Sequence, residues 1–188
     1  MSLKIDPIKV EVWRHLFASI AEEMGATLER TGFSPNIKER RDYSCALFDA
    51  SGRLMAQAAH IPVHLGAMPL LITNLITSVR WSPRSMWLCS DPAYGGTHLP
   101  DFTVVAPVFP NSHPPSPNPQ YPTPNPPIGF VANRAHHADI GGLSPGSLPL
   151  STELFHEGLV LPPVKLVSRD RMNADLLAIV CANSRTPD

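Results

Sequence analysis

Charge is sparse in this sequence and nearly balanced, which limits the partners to expect. Only 16% of the 188 residues are charged, and 15 Lys and Arg face 16 Asp and Glu, for a formal net charge of −1. Nucleic-acid phosphates require a basic face, so we expect no nucleic-acid partner. The glycine motifs GxxxxGK[ST] and GxGxxG are missing, and the chain is therefore not expected to bind ATP itself. A GxSxG nucleophile motif is missing as well.

Long apolar runs and paired cysteines are also missing. The longest apolar stretch, 70–76, is interrupted by polar residues and is far shorter than the ~20 residues of a spanning helix, and the N-terminus lacks the apolar core of a signal peptide. We therefore expect a cytoplasmic protein without a membrane partner. Cys45, Cys89 and Cys181 have no close spacing, which argues against a disulfide framework or a CxxC zinc site and predicts small buried apolar residues.

Proline is in excess, at 22 of 188 residues, against an average of about 5%. The excess is local: nine of the eighteen positions in 110–127 are proline, and most of the others are Asn, Ser, Gln or Thr. This composition predicts an exposed, flexible insert at the tip of a hairpin. Its Pro-x-x-Pro spacings leave a second interpretation open, that of a ligand for a proline-binding module.

The apolar residues between Pro7 and Thr31 recur every four positions, as on one face of an amphipathic helix. Asp6 followed by Pro7 supplies a helix start, and Gly32 supplies a stop. We therefore predict a long N-terminal helix.

Two hairpins follow from the strand-like segments. One is predicted from strands at 40–49 and 54–58 around a glycine-containing turn, and the other from strands at 102–109 and 128–135 on either side of the proline insert.

Pro62 disfavours both helix and central strand, so 60–66 is predicted to be an irregular loop, followed by a second helix over 68–79. The apolar segment 174–182 fits either helix or strand. The predicted fold class is α/β (α+β): an N-terminal amphipathic helix with a mixed sheet, hairpins and long loops in one domain, 1–188.

Side chains of the kinds that bind metals gather at both ends of the second hairpin. His98 and Asp101 leave a glycine-rich loop just before its first strand, while His136 and His137 end its second strand and Asp139 follows. Antiparallel pairing would bring these ends together. Such nitrogen and oxygen ligands suit Zn²⁺, Mn²⁺ or Fe²⁺, which can supply hydroxide near neutral pH. Successive residues on a strand point to opposite faces, so one histidine of the pair is expected to bind the metal.

Ordinary structural roles explain the same residue types. A single histidine is more often a surface or hydrogen-bonded residue than a ligand, and an Asp after a loop often forms a turn. Asp42 beside two arginines fits a salt bridge, and His60 and His64 fit loop packing. The residues alone leave the metal site and the structural interpretation equally open.

Several segments together resemble the hydantoinase B/5-oxoprolinase family. The similarity extends in order over nearly the whole chain, in ERRDYSCALF at 39–48, HIPVHLGAMP at 60–69, GGTHLPD at 95–101 and ANRAHHADIGG at 132–142, with shorter matches at 145–147, 151–153, 157–159 and 162–166.

The resemblance implies an ATP-dependent hydrolase of small cyclic amides such as hydantoins or 5-oxoproline, or a relative of the acetone carboxylase large subunit. A hydantoinase A-like partner subunit or domain would bind ATP and phosphorylate the substrate carbonyl oxygen, and this chain would hold a divalent Zn, Mn or Fe ion. The implied catalytic and metal-binding residues are Asp42, His98, Asp101 and His136, with His137 and Asp139 as further metal candidates; the candidate substrate-binding residues are His60, His64 and Arg134.

The sequence departs from the family pattern in places. Ser90-Asp91-Pro92 stands where the family has Asn-Asp-Pro, and the proline insert replaces a short turn. Family subunits are also longer, which predicts that this chain is an N-terminal portion. The alternative function is accordingly a catalytically inactive remnant that serves as a binding or assembly piece.

Overall fold

A seven-stranded sheet with helices on both faces forms the protein, in a computed structural model that describes residues 6–59, 61–110, 126–146 and 149–187. The helices are α1 (Pro7–Thr31), α2 (Pro35–Lys38), α3 (Pro62–Ser78) and α4 (Ala174–Asn183), with short 3₁₀ turns at Pro92–Tyr94 and Leu154–Glu157. The strands are β1 (Tyr43–Asp49), β2 (Leu54–Ala59), β3 (Ser85–Cys89), β4 (Asp101–Val108), β5 (Gly129–His136), β6 (Val164–Ser168) and β7 (Arg171–Met172).

The long N-terminal helix is confirmed at both ends. The Asp6 side chain accepts a hydrogen bond from the amide of Ile8, Pro7 occupies the first turn, and the amide of Gly32 donates to the carbonyl of Leu28. These contacts satisfy backbone groups that a helix end leaves unpaired.

Both predicted hairpins are present, and the predicted combination of helices with a hairpin-built sheet is confirmed. The strand order is β2-β1-β5-β4-β3-β6-β7. All six pairings among the described residues are antiparallel, so the expectation of mixed pairing is corrected. Neighbouring strands run in opposite directions within each hairpin, and the pairings of β1 with β5 and of β3 with β6 are antiparallel as well. Among the described residues, no two neighbouring strands are therefore parallel.

The side chains of β1 contribute to apolar clusters on both faces of the sheet. Ala46 and Phe48 pack with α3, whereas Cys45 and Leu47 lie on the opposite face, which α1 covers. This alternation is the two-residue period of a strand that is buried on both sides. The α3 face is apolar towards Phe48 but turns polar at Ser44, near the start of the strand.

The predicted loop at 60–66 is wrong for 62–66, because α3 begins at Pro62. Proline is disfavoured inside a helix but well tolerated in its first turn, where its missing N–H has no helical partner to lose. The helix presents a buried stripe to the sheet at His64, Met68, Leu71, Ile72 and Leu75. His64 therefore lies on a buried helix face and not in a loop.

Three strands and the short helix α2 were not among the predicted elements. Neither β3, β6 nor β7 was expected, and the ambiguous apolar segment 174–182 is the helix α4. The cysteines are free, as expected, but only Cys45 and Cys89 are buried, while Cys181 is exposed. Burial raises the pKa of both interior thiols to about 11, so neither is a thiolate nucleophile near neutral pH.

Two further sequence expectations concern membranes and the proline insert. None of the helices in the described ranges combines the length and the apolar character that crossing a bilayer requires.

Most of the predicted insert lies outside the described residues, as does His60. The insert's flexibility and the extent of the domain therefore stay predictions.

Gly96 is expected to be intolerant of substitution, because a Cβ there would lie 2.2 Å from the carbonyl oxygen of Ser90. Gly96→Ala should lower the free energy of unfolding by about 2–4 kcal/mol, measured by chemical denaturation. The matched control is Gly66→Ala in α3, where a Cβ would meet no heavy atom within 4 Å beyond its chain neighbours and the backbone of its own helix. That change should stabilise the protein by roughly 0.5–1 kcal/mol. Equal effects of the two substitutions would contradict the geometry of the 95–100 loop.

Candidate metal centre

The polar end of the sheet is built by the register of β4 and β5. Asp101 pairs directly with His136, so the first residue of one strand lies opposite the last residue of the other. Two backbone hydrogen bonds extend the pairing at this end of the sheet. The amide of His136 donates to the carbonyl of Asp42 at 3.0 Å, and the amide of His137 donates to the carbonyl of Pro100 at 2.9 Å. The predicted meeting of the two hairpin ends is thereby observed.

Three of the predicted metal ligands meet there, and we call His98, Asp101 and His136 the triad. One potential ligand atom from each lies within 4.8 Å of the other two. The Asp101 Oδ1 atom is 2.8 Å from His136 Nδ1 and 3.6 Å from His98 Nδ1. The two imidazole rings stack with centroids 5.2 Å apart. Asp101 and His136 are buried, and His98 is partly exposed on the loop side.

The Asp101 carboxylate stays ionised despite its burial. Burial alone would raise its pKa, but hydrogen bonds from His136, His64 and His98 outweigh burial and hold the pKa well below its usual range. A buried carboxylate surrounded by imidazoles is a ready anionic ligand.

Two predicted residues lie beside the triad without belonging to it. His64 is buried on α3, and its Nε2 atom is 3.4 Å from Asp101 Oδ2 and 3.8 Å from Asp42 Oδ1. Its Nδ1 atom is 3.2 Å from Ser44 Oγ. Asp42 is partly exposed just before β1. His64 was predicted to bind substrate from a loop. Its helical spacing from Met68, Leu71 and Leu75 was a sequence signal for a buried helix position, and the loop assignment overlooked it.

The other two candidates from the HHAD segment are held elsewhere. The His137 ring packs against Phe102 with centroids 4.5 Å apart. The pKa of His137 is lowered, mainly by burial and to a lesser extent by the nearby His136. The Asp139 carboxylate accepts from the backbone and the guanidinium of Arg185, at 2.7 and 2.8 Å. The triad includes neither residue, and the expectation that one histidine of the pair binds a metal stays a prediction.

Arg134, a predicted substrate-binding residue, is fully buried next to the triad. Its Nε atom donates to Thr103 Oγ1 at 2.7 Å, and Nη1 donates to Thr97 Oγ1 at 3.3 Å. The Nη2 atom has no hydrogen-bond partner among the described residues. The structure thus places Arg134 beneath the loop that carries Thr97 and His98.

The triad fits a divalent transition metal by its chemistry and spacing. Two imidazole nitrogens and one carboxylate oxygen match the three protein ligands of an open zinc-type site, where bonds of about 2.0–2.2 Å require ligand atoms roughly 3–4 Å apart. The observed spread of 4.8 Å is close to that requirement. Small side-chain adjustments would bring all three atoms to one ion.

The sequence profile described as hydantoinase B/oxoprolinase matches residues 6–188. The chain belongs to the hydantoinase B/oxoprolinase family. The resemblance seen in the sequence segments is thereby confirmed.

Relatives within the family are considerably longer than this chain. An uncharacterised protein of Methanocaldococcus jannaschii is 42% identical over 97% of this chain and 31% of its own length, and the 5-oxoprolinase of Saccharomyces cerevisiae is 44% identical over 85% and 12%. A protein of a Pseudomonas species, named as a putative subunit of a D-/L-hydantoinase, is 29% identical over 98% and 30%. The chain therefore spans about a third or less of these relatives.

Solved structures share the fold. An acetone carboxylase structure aligns with 97% of this chain and 23% of its own, with a TM-score of 0.83 at 20% identity. The ATP-dependent caprolactamase of Pseudomonas jessenii aligns with 98% of this chain and 30% of its own, with a TM-score of 0.76 at 28% identity. The first likeness concerns the fold alone.

Asp139 of this family member gives a pH-dependent prediction. Burial would raise its pKa, but the amides of Arg185 and Gly141 and the Arg185 charge hold it below the ordinary 3.8. A carboxylate whose pKa is lower in the folded than in the unfolded state stabilises the protein above pH ~4. This contribution is lost as the pH falls through the folded-state pKa. Asp139→Asn should therefore cost about 1 kcal/mol at pH 7, with the difference from wild type shrinking below pH 4.

Chemical denaturation between pH 3 and pH 7 measures this difference. Asp170→Asn is the matched control, because Asp170 is exposed and pairs with the exposed Arg84. It should change stability little at any pH. A pH-independent cost of Asp139→Asn would contradict the assignment of an ionised, Arg185-bound carboxylate.

Proposed function

We propose that this chain is the metal-binding part of an ATP-dependent cyclic amide hydrolase of the hydantoinase or 5-oxoprolinase type. The observation that carries the proposal is the triad at the joined ends of β4 and β5, in a chain of the hydantoinase B/oxoprolinase family. The proposed location is the cytoplasm.

Each triad residue has a distinct part in the proposed site. Asp101 supplies the anionic ligand from the buried end of β4, and His136 supplies an imidazole that the β5 backbone fixes opposite it. His98 approaches from the 95–100 loop and is the most solvent-accessible of the three. When bound, a divalent Zn, Mn or Fe ion supplies Lewis acidity at the substrate carbonyl and lowers the pKa of water.

The proposed reaction also needs a source of carbonyl activation outside this chain. The sequence contains no phosphate-binding glycine motif, and the Pseudomonas relative is named as one subunit of a hydantoinase. We therefore assign ATP binding and carbonyl phosphorylation to a hydantoinase A-like subunit or domain. This chain would hold the small cyclic amide near the triad while the ring opens.

The test is ring opening of 5-oxoproline and hydantoin with ATP and a hydantoinase A-type subunit, comparing wild type with His136→Ala. We expect product only when this chain, the partner and ATP are all present, and a loss of at least about 100-fold in His136→Ala. His156→Ala, a histidine of a 3₁₀ turn outside the triad, should retain activity. Equal product formation without this chain, or with His136→Ala, would contradict the proposal.

A second candidate function is that of an inactive assembly piece. It is favoured by apolar side chains near the start of α1 that remain exposed, namely Ile8, Val10, Val12 and Trp13. Contact with a partner subunit that persists in a metal-free His136→Ala variant, together with absence of ring opening by wild type, would favour this second function.

A further inference from the structure

His64 is the buried imidazole that the triad does not include. It is 1% exposed, and it lies on the sheet-facing stripe of α3 one helical turn before Met68. Its ring contacts polar groups on both sides: Ser44 at Nδ1, and Asp101 and Asp42 at Nε2. These contacts give the buried imidazole a defined orientation.

We propose that His64 is a positioning residue, which holds the Asp101 carboxylate so that Oδ1 faces the two imidazoles of the triad. The proposal rests on the proposed metal-binding function of the triad. It assigns to His64 an action through Asp101, without contact to the metal or the substrate, and so differs from the substrate-binding role expected of His64.

The two oxygens of Asp101 have different neighbours. Oδ1 is 2.8 Å from His136 and 3.6 Å from His98, whereas Oδ2 is 3.4 Å from His64 Nε2. Rotation of a carboxylate about its terminal torsion is otherwise soft and roughly two-fold. A donor fixed on the Oδ2 side therefore selects one rotation and leaves Oδ1 for the triad.

Ser44 and α3 hold the imidazole itself. A carboxylate oxygen only accepts hydrogen bonds, so Nε2 is the donor towards Asp101, and Nδ1 is free to accept from the Ser44 hydroxyl 3.2 Å away. Ser44 is fully buried in β1 and pairs across the sheet with Arg134. Ser44 on β1 thus orients His64 on α3, and His64 in turn orients the Asp101 carboxylate on β4.

Outer hydrogen-bond partners of metal ligands change metal affinity by about 10–100-fold when they are removed. We therefore expect His64→Ala to weaken Zn²⁺ binding to the full chain by about 10–100-fold, with the stoichiometry unchanged. His64→Gln should restore affinity to within a few-fold of wild type, because the amide nitrogen of Gln can donate from nearly the position of Nε2. Ser44→Ala should lie between the two.

The experiment is a Zn²⁺ titration against a competing chelator at fixed pH, with the Co²⁺ absorption spectrum of each variant as a second readout. Leu71→Ala is the matched control, since Leu71 is buried on the same stripe of α3 but packs in the apolar core. It should lower thermal stability without changing the affinity or the Co²⁺ spectrum of folded protein. His64→Ala should change both.

Each outcome decides a different point. Wild-type affinity in His64→Ala, or a His64→Gln variant as weak as His64→Ala, would overturn the positioning role while leaving the metal site standing. A reduced number of bound ions in His64→Ala would overturn it as well, because His64 would then be a ligand. Absence of binding by folded wild type would contradict both the positioning role and the proposed function.

Discussion

Asp101→Asn is expected to abolish stoichiometric transition-metal binding while leaving the protein folded. Asp101 lies where three imidazoles converge, and the ionised carboxylate is the one anionic ligand of the triad. Asn has the same shape but lacks the charge, so the loss of affinity should exceed the roughly 10–100-fold that removal of an outer partner produces. Elemental mass spectrometry of purified protein measures the bound metal, and circular dichroism reports the fold.

Asp170→Asn provides the control for this change. Asp170 is an exposed carboxylate paired with Arg84 on the turn between β6 and β7. The variant should bind as much metal as wild type. Full metal content in Asp101→Asn would show that the carboxylate is not a ligand and would leave the two histidines without an anionic partner.

Arg134→Ala is expected to be the most destabilising of the substitutions considered. Arg134 is one of the largest fully buried side chains among the described residues. Its loss leaves a cavity, removes the donors to two threonine hydroxyls and takes away a cation near Asp101. Truncation of a large, fully buried side chain costs about 3–5 kcal/mol, because it leaves a cavity and breaks buried hydrogen bonds. A chain of this length loses roughly 2–4 °C in Tm per kcal/mol, so thermal unfolding should reveal the change clearly.

Two further variants separate charge from hydrogen bonding at this position. Arg134→Lys keeps a cation but not the planar arrangement that reaches Thr103 and Thr97, so its stability should be intermediate. Arg53→Ala removes an exposed arginine bonded to Asp49 and should cost less than about 1 kcal/mol. Equal costs for Arg134→Ala and Arg53→Ala would contradict a stabilising role of the buried Arg134 guanidinium.

The triad was accessible from the sequence because it depends on local pattern and one pairing rule. Strand-like segments on both sides of the proline insert predicted a hairpin, and antiparallel pairing predicted that its two ends meet. The observed register adds that Asp101 lies directly opposite His136. Period-two alternation also implied that only one histidine of the His136-His137 pair faces the site, without deciding which one. No knowledge of distant contacts was needed for either step.

The residues around the triad were harder to predict, because their positions depend on long-range packing. Pro62 was interpreted as a helix breaker, although it begins α3, and this error placed His64 in a loop. Asp139 meets Arg185 across 46 positions, and β3 pairs with the distant β6, and neither contact leaves a local pattern. Propensity and periodicity describe single elements, whereas these contacts arise from how the elements pack.

The most direct test of the central claim is the metal content of the purified 188-residue chain and of its His98→Ala and His136→Ala variants. With His156→Ala as control, elemental mass spectrometry should find near one equivalent of Zn, Mn or Fe in wild type and control. It should find almost none in either triad variant. Folded wild type without transition metal, or metal retained in both triad variants, would contradict a metal centre at the joined ends of β4 and β5.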